Sequence, residues 1–409
     1  MAKPKLLYLC HRIPYPPNKG DKIRSFNILK ALAEHYEIYL GCFIDDPFDY
    51  QYETQLASWC SEYYCRPQHK LVAKLKGLTS FVTGKPITLP YYFDRELQHW
   101  VDQTIREEKI DTVFLYSSAM AQYVDGKMYA HLHRVLDFVD IDSDKWRQYA
   151  EKNHGVMRFI YQREFKLLAA KEQYYCKTFD YSLFVSDDEA NLFRQQTPTI
   201  SQPKVKALLN GVDTVFFDPD FANHTDDKGK QTTHTEPECH TPYLVFTGAM
   251  DYWANVDAVC WFVREVWPAL KQQRPELYFY IVGGNPTAEV IALTQQPDVI
   301  VTGRVHDIRP YIANAALVVA PLRIARGIQN KVLEAMAMNK AIVATGMAME
   351  GINAPNGAFL QQSDDATEFA SHCLAMLAEL NAQNPNRQWV IDHFTWPATL
   401  APLLSMVRR

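Results

Sequence analysis

The segment Ala320–Thr345, APLRIARGIQNKVLEAMAMNKAIVAT, has the residue types and spacing most able to do chemistry. An apolar run ends at Ala320, a loop with Arg323, Arg326 and Gly327 follows, and a helix is expected from about Ile328 to Met338. Gly327, Asn330, Lys331 and Glu334 recur at steps of three and four, so they share one helix face. A helix start offers unpaired N–H groups and the positive end of a dipole, which suits a diphosphate. Gly327 lets a phosphate approach the backbone closely, with Ile328 and Gln329 completing the turn. Lys331 and Arg326 add positive charge where a leaving group becomes more negative. Glu334 can accept two hydrogen bonds from vicinal ribose hydroxyls. The residue types alone fit a solvated helix face behind a plain turn just as well.

Two other segments carry candidate chemistry. In YPPNKGDKIR, Tyr15–Arg24, Gly20 precedes a helix headed by Asp21 and gives a tight turn, with Lys19 and Arg24 as flanking cations. In DFVDIDSDKW, Asp137–Trp146, Asp140 and Asp142 end an apolar run, where a carboxylate can stabilise developing positive charge or orient a hydroxyl. Their plainer reading is acidic capping of the helix that follows. Lys145–Lys177 interleaves eight Lys/Arg with aromatics against three Glu. That suits an anionic membrane surface, or a core-facing aromatic stripe with a solvated basic back.

These segments need a scaffold to hold them. Short apolar runs (Lys5–Cys10, Ile38–Phe43, Thr112–Tyr116, Arg134–Val139, Tyr181–Val185) alternate with amphipathic stretches such as Lys22–His35, Arg95–Glu108 and Trp146–Cys176. The alternation stops in the polar stretch Asp218–Thr241, then resumes with Tyr243–Thr247, Leu277–Val282, Val299–Thr302, Leu317–Ala320 and Ala341–Ala344, and a last helical run spans Pro397–Val407. Buried strands alternating with helices indicate parallel sheets covered on both faces. At 409 residues the chain is expected to form two domains. The expected division is 1–210, a hinge and linker at 211–241, 242–392, and a C-terminal helix at 393–409 that can cross back to the first domain.

Composition narrows the classes. A net charge of -5 argues against nucleic acid as the main partner. The eight cysteines are scattered without a Cys-x-x-Cys pair, which reads as reduced thiols rather than disulfides or a zinc site. The histidines and Cys239 of the polar stretch are too irregularly spaced for metal ligands. The run Leu6–Cys10 is too short for a signal peptide, so a cytoplasmic location, with peripheral contact at the inner face of the membrane, is expected.

Leu333-Glu334-Ala335-Met336-Ala337 resembles the donor-site signature of retaining glycosyltransferases of the GT-B fold, family-4-like type. Further landmarks stand in the family's order: Asn210-Gly211-Val212-Asp213, Ile281-Val282-Gly283-Gly284, Gly303-Arg304-Val305-His306-Asp307 and Pro321. With the Tyr15–Asp21 loop, the likeness spans essentially the whole chain. Within the family, the exosortase-associated (PEP-CTERM) bacterial sugar transferases of exopolysaccharide loci come nearest. The resemblance implies an α/β, GT-B architecture: two Rossmann-like, doubly wound parallel-sheet domains facing a central cleft. It implies metal-independent transfer from a UDP- or GDP-sugar to a glycan or lipid-linked saccharide, with no cofactor. It adds Gly248, Gly283 and Arg304 to Gly20 and Gly327–Lys331 as donor-binding positions, places Lys19 and Arg24 on the acceptor side, and sets Asp140 or Asp142 near the anomeric carbon. The family has a glutamate eight positions before Glu334; here that position is Arg326, a candidate catalytic cation. A GT-B-fold epimerase acting on a UDP-sugar and a catalytically inactive partner protein are the alternatives. A dinucleotide oxidoreductase is disfavoured, because Cys10-His11-Arg12 and Gly248-Ala249-Met250 stand where its glycine fingerprint belongs.

Overall fold

The computed structural model describes residues 3–17, 20–221, 239–324, 327–357, 359–378 and 384–409, without the side chains of Lys70, Lys74 and Lys152. The chain divides into two compact units, Met1–Leu209 with Leu400–Arg409, and Asn210–Thr399. The stretch expected to be a linker contains residues 222–238, which lie outside the described residues.

The first unit holds seven strands: β1 (Lys5–Cys10), β2 (Glu37–Ile44), β3 (Glu62–Pro67), β4 (Thr112–Tyr116), β5 (His133–Val139), β6 (Tyr181–Phe184) and β7 (Val205–Ala207). Their order is β3-β2-β1-β4-β5-β6-β7, and neighbouring strands are parallel. The second unit has β8 (Tyr243–Thr247), β9 (Tyr278–Val282), β10 (Val299–Gly303), β11 (Leu317–Ala320), β12 (Ile342–Ala344) and β13 (Leu360–Gln362), in the order β10-β9-β8-β11-β12-β13. This sheet is parallel too. The central strands are buried along nearly their whole length, which is why they read as unbroken apolar runs. Strand order reverses at β1/β4 in one sheet and at β8/β11 in the other. In open α/β sheets, ligands gather at the carboxyl ends of strands beside such reversals.

Three helical expectations need correction. Trp146–Cys176 is not one helix but parts of two, Asp142–Lys152 and Gly155–Thr178. Asn153 and His154 are extended, and Gly155 takes a φ of 61°, so the helix cannot run through. Pro397–Val407 likewise divides into Trp396–Leu400 and Leu403–Val407, because Pro402 between them cannot continue a helix. The helix expected over Ile328–Met338 spans Asn330–Ala337.

In the first unit, helix Gly20–Ala33 buries Ile28, Leu29 and Leu32 together with two charged side chains. Lys22 donates to Asp49 at 3.0 Å. Arg24, 1% exposed, grips Asp137 of β5 through Nε at 2.9 Å and a second nitrogen at 3.2 Å. Arg24 therefore does not serve as the acceptor-side cation expected of it: its guanidinium is committed to a core ion pair. The final residues complete this unit, with Leu403 and Val407 fully buried and His133 Nε2 2.7 Å from the Met406 carbonyl.

Removing one partner of a buried ion pair strands the other charge in the core. Arg24→Met is expected to cost about 3–5 kcal/mol in chemical denaturation. Adding Asp137→Leu should recover most of that loss. A loss under about 1 kcal/mol for the single variant would mean that the pair does not hold helix and sheet together.

Candidate functional site

In the second unit the carboxyl ends of β8, β9 and β10 close on one another through glycines. Gly248 N donates to Val282 O at 3.0 Å, and Gly283 N donates to Gly303 O at 3.2 Å. A Cβ on Gly283 would sit 1.6 Å from Gly248 O, so no side chain fits there. A Cβ on Gly248 would lie 2.7 Å from Asn255 Nδ2 and 3.3 Å from Lys331 Nζ. Lys331 thus reaches from the helix after β11 to the glycine after β8. Asn255 holds it there, accepting from Lys331 Nζ at 2.5 Å while donating to Ala249 O at 2.9 Å. The ammonium also stands 4.4 Å from the centre of the Phe246 ring.

The loop ahead of this helix turns at Gly327, with a φ of 63°. Ile328 packs its side chain against Gly351 and is buried, so any ligand contact falls to its backbone. Gln329 folds back to donate to Gly327 O at 3.0 Å. Asn330 Oδ1 is a buried acceptor with no hydrogen-bond partner among the described residues. Arg304 is exposed, its Nε about where a side chain on Gly284 would contact it, at 3.5 Å. Arg326 lies outside the described residues.

Lys331 and Glu334 are partly buried and, among the described residues, form no ion pair with each other. Burial pushes the Glu334 carboxyl up to about 7 and the Lys331 ammonium down to about 7, each moderated by the other's opposite charge. Among the described residues the Glu334 carboxylate has no hydrogen bond. Both groups lie on the helix that begins at Asn330, whose buried Oδ1 is unpartnered among the described residues.

The first unit has its own cluster beyond β1. Gly20 has open space where a side chain would project. Asp21, next in the helix, is bonded by Arg12, and its Oδ2 is 3.6 Å from His11 Nε2. Arg12 also donates to Asp45 at 2.8 Å. His11 stacks on Tyr116 at 5.7 Å and meets Tyr92 edge-on. Burial alone would raise Asp21, but His11 and Arg12 hold it well below the usual carboxylate range. Sequence reading passed over His11, Arg12 and Asp45. Their one signal was position, directly after the first and second strands of a parallel sheet. Lys19 lies outside the described residues.

Asp140 and Asp142 come together at the end of β5, both on Lys145, at 3.0 and 3.3 Å. Asp142 also accepts from Ser118 Oγ at 3.1 Å. Val139 just before them has a φ of 69°, a conformation a β-branched residue rarely adopts. Asp137 imposes it: its Oδ1 accepts from Val139 N at 3.0 Å while its carboxylate is fixed by Arg24. In the basic stretch Lys145–Lys177, Lys145, Arg147 and Lys171 are paired with carboxylates, Arg147 on Asp144 and Glu151 and Lys171 on Asp125.

Residues 241–379 match the family model of glycosyl transferases group 1. The matched region lies within the second unit and contains every donor-site residue above except Gly20. Solved structures resemble the whole chain. A glycosyltransferase from Rickettsia africae gives a TM-score of 0.61 at 15% identity, covering 99% of this chain and 98% of its own. Anabaena HepE in complex with UDP gives 0.64 at 16%, covering 98% and 99%. Sucrose-phosphate synthase from Thermosynechococcus elongatus gives 0.64 at 14%, covering 99% and 98%. No curated protein sequence matches the chain. The glycosyl transferases group 1 domain and these neighbours bear out the two-sheet GT-B architecture read from the sequence.

A lysine with a pKa lowered by folding subtracts stability at every pH below its ordinary value of 10.5. Lys331→Met is expected to raise stability by about 1 kcal/mol near pH 7, the gain fading as pH approaches 10.5. Thermal unfolding across that range checks it. A loss of stability would make Lys331 a structural residue.

Proposed function

We propose that the protein is a glycosyltransferase that moves a sugar from a UDP- or GDP-sugar to a glycan or lipid-linked saccharide. The observation that carries this reading is Lys331 Nζ standing over the glycine-built strand ends at Gly248, one helical turn from Glu334. In this reading the diphosphate lies between Gly248, Gly327 and the start of helix Asn330–Ala337, with Arg304 and Arg326 adding charge. Glu334 accepts the ribose hydroxyls, and the close backbone contact of Gly248 with Gly283 forms the floor on which the nucleotide rests. The presence of UDP in the HepE structure supports a uridine donor.

During transfer the bond from the anomeric carbon to the diphosphate oxygen breaks, and its electron pair leaves with the nucleoside diphosphate. The acceptor hydroxyl bonds to that carbon, and its proton passes to the departing diphosphate oxygen. Lys331, Arg326 and the helix dipole stabilise the departing charge, so the proposed reaction needs no metal ion or other cofactor. Asp140 and Asp142 are assigned near the anomeric carbon, Gly20 to the donor side and Lys19 to the acceptor side, and transfer is proposed to retain the anomeric configuration. Exopolysaccharide or cell-surface polysaccharide synthesis at the cytoplasmic face of the membrane is the proposed setting. Among the described residues no helix is long and apolar enough to cross a membrane.

Thermal shift with UDP, GDP, CMP and NAD tests this. The correct nucleotide at 100 times its dissociation constant should add about 2.7 kcal/mol. Glu334→Ala should remove that shift, and stabilisation by NAD alone would overturn the reading. Affinity should peak near pH 7, because Glu334 gains a proton below it and Lys331 loses its charge above it. A flat profile between pH 6 and pH 8 would remove both residues from the binding step. Hydrolysis of a panel of nucleotide sugars then separates an active enzyme from an inactive partner.

A further inference from the structure

Where β5 gives way to helix Asp142–Lys152, alternate backbone N–H groups are each held by a different buried carboxylate. Asp137 accepts from Val139 N at 3.0 Å, Glu189 from Ile141 N at 3.4 Å and Glu172 from Ser143 N at 3.1 Å. The residues between them, Asp140 and Asp142, turn their carboxylates to Lys145 and are 26% and 28% exposed. The helix has no side-chain cap of its own, because its N-cap residue is Ile141. Glu172 supplies the missing acceptor from helix Gly155–Thr178, 29 residues beyond Ser143.

Asp137 and Glu172 differ in what neutralises them. Asp137 has Arg24. Glu172 is 1% exposed and has no ion pair among the described residues. Among those residues its carboxyl bonds with Ser143 alone, at N and at Oγ, the latter 2.5 Å from Oε2. A carboxylate shut away from water with no cation on it takes up a proton instead. The charges that bear on it, Asp142 and Lys145, stand on the helix it caps and oppose each other. Burial pushes Glu172 up to about 8, helped by the Asp142 charge and opposed by the Ser143 hydrogen bonds and Lys145.

We propose that Glu172 is a positioning residue for the transfer, held as a neutral carboxylic acid so that it fixes Asp140 and Asp142 without adding a third negative charge behind them. In that form Oε1 accepts from Ser143 N while the Oε2 hydroxyl donates to Ser143 Oγ. Asp142 is held from another side by Ser118, fully buried, whose Oγ donates to it at 3.1 Å. Groups fixed this way lose rate when displaced by as little as about 1 Å. The proposal rests on the reading that places Asp140 and Asp142 near the anomeric carbon. The protonation of Glu172 is measured without sugar transfer.

Glu172→Gln keeps an acceptor for Ser143 N and a donor for Ser143 Oγ, whereas Glu172→Asp keeps the acid but withdraws it by one methylene. For hydrolysis of the nucleotide sugar that turns over fastest, kcat should stay within about twofold in Glu172→Gln and fall about tenfold or more in Glu172→Asp, with KM unchanged in both. Both variants should show the wild-type circular dichroism and the wild-type UDP or GDP thermal shift. The infrared difference between wild type and Glu172→Gln at pH 7 should show the carbonyl stretch of a protonated carboxyl, lost as pH rises past about 8. A kcat loss in Glu172→Gln, wild-type kcat in Glu172→Asp, or a carboxylate band at pH 7 would each overturn the proposal. Wild-type kcat in both Asp140→Asn and Asp142→Asn would instead sink the reading of those two residues, with the infrared band still reporting the state of Glu172.

Discussion

The pairing of Arg24 with Asp137 organises the first unit. It crosses 113 residues of sequence and joins the helix behind the Gly20 turn to the end of β5. From that one carboxylate follow three placements. Arg24 is drawn inward, Val139 is held in a left-handed conformation, and the next residues, Asp140 and Asp142, emerge side by side on Lys145. A buried pair of this kind adds little net stability, since desolvation offsets most of the attraction. Its contribution is position: a strained strand end stays strained because the carboxylate below it cannot move.

The second unit is organised by an absence of side chains. Gly248 and Gly283 bring two strand ends into direct backbone contact, leaving a floor that Lys331 and Asn255 can reach. The cost falls on charge rather than packing. Lys331 and Glu334 sit where burial disfavours the charge of each near neutral pH.

Much of this was legible in the sequence because the central strands are buried on both faces and therefore read as unbroken apolar runs. The strands that escaped, β3, β7 and β13, are all sheet edges. β3 is half exposed and carries Glu62 and Arg66, while β7 and β13 have three residues each. That Lys331 and Glu334 share one face was legible because helical spacing alone sets them there; the choice of chemistry for that face came from the family resemblance. The His11–Arg12–Asp21–Asp45 cluster was not, since Arg12 finds Asp45 across 33 residues and no local pattern announces such a pairing. Arg24 was misplaced for a related reason. A cation on a helix is expected to face water, and its burial depends on a partner far along the chain.

The return of Leu400–Arg409 to the first unit sets an order of events during synthesis. That unit cannot close until its last helix has been made, with Leu403 and Val407 in its core. The intervening Asn210–Thr399 must be translated first. At ordinary elongation rates that takes roughly ten to forty seconds. Throughout this interval the surface that awaits the last helix is uncovered on the ribosome while the later-made unit can already fold. In this chain the first domain begun is the last completed.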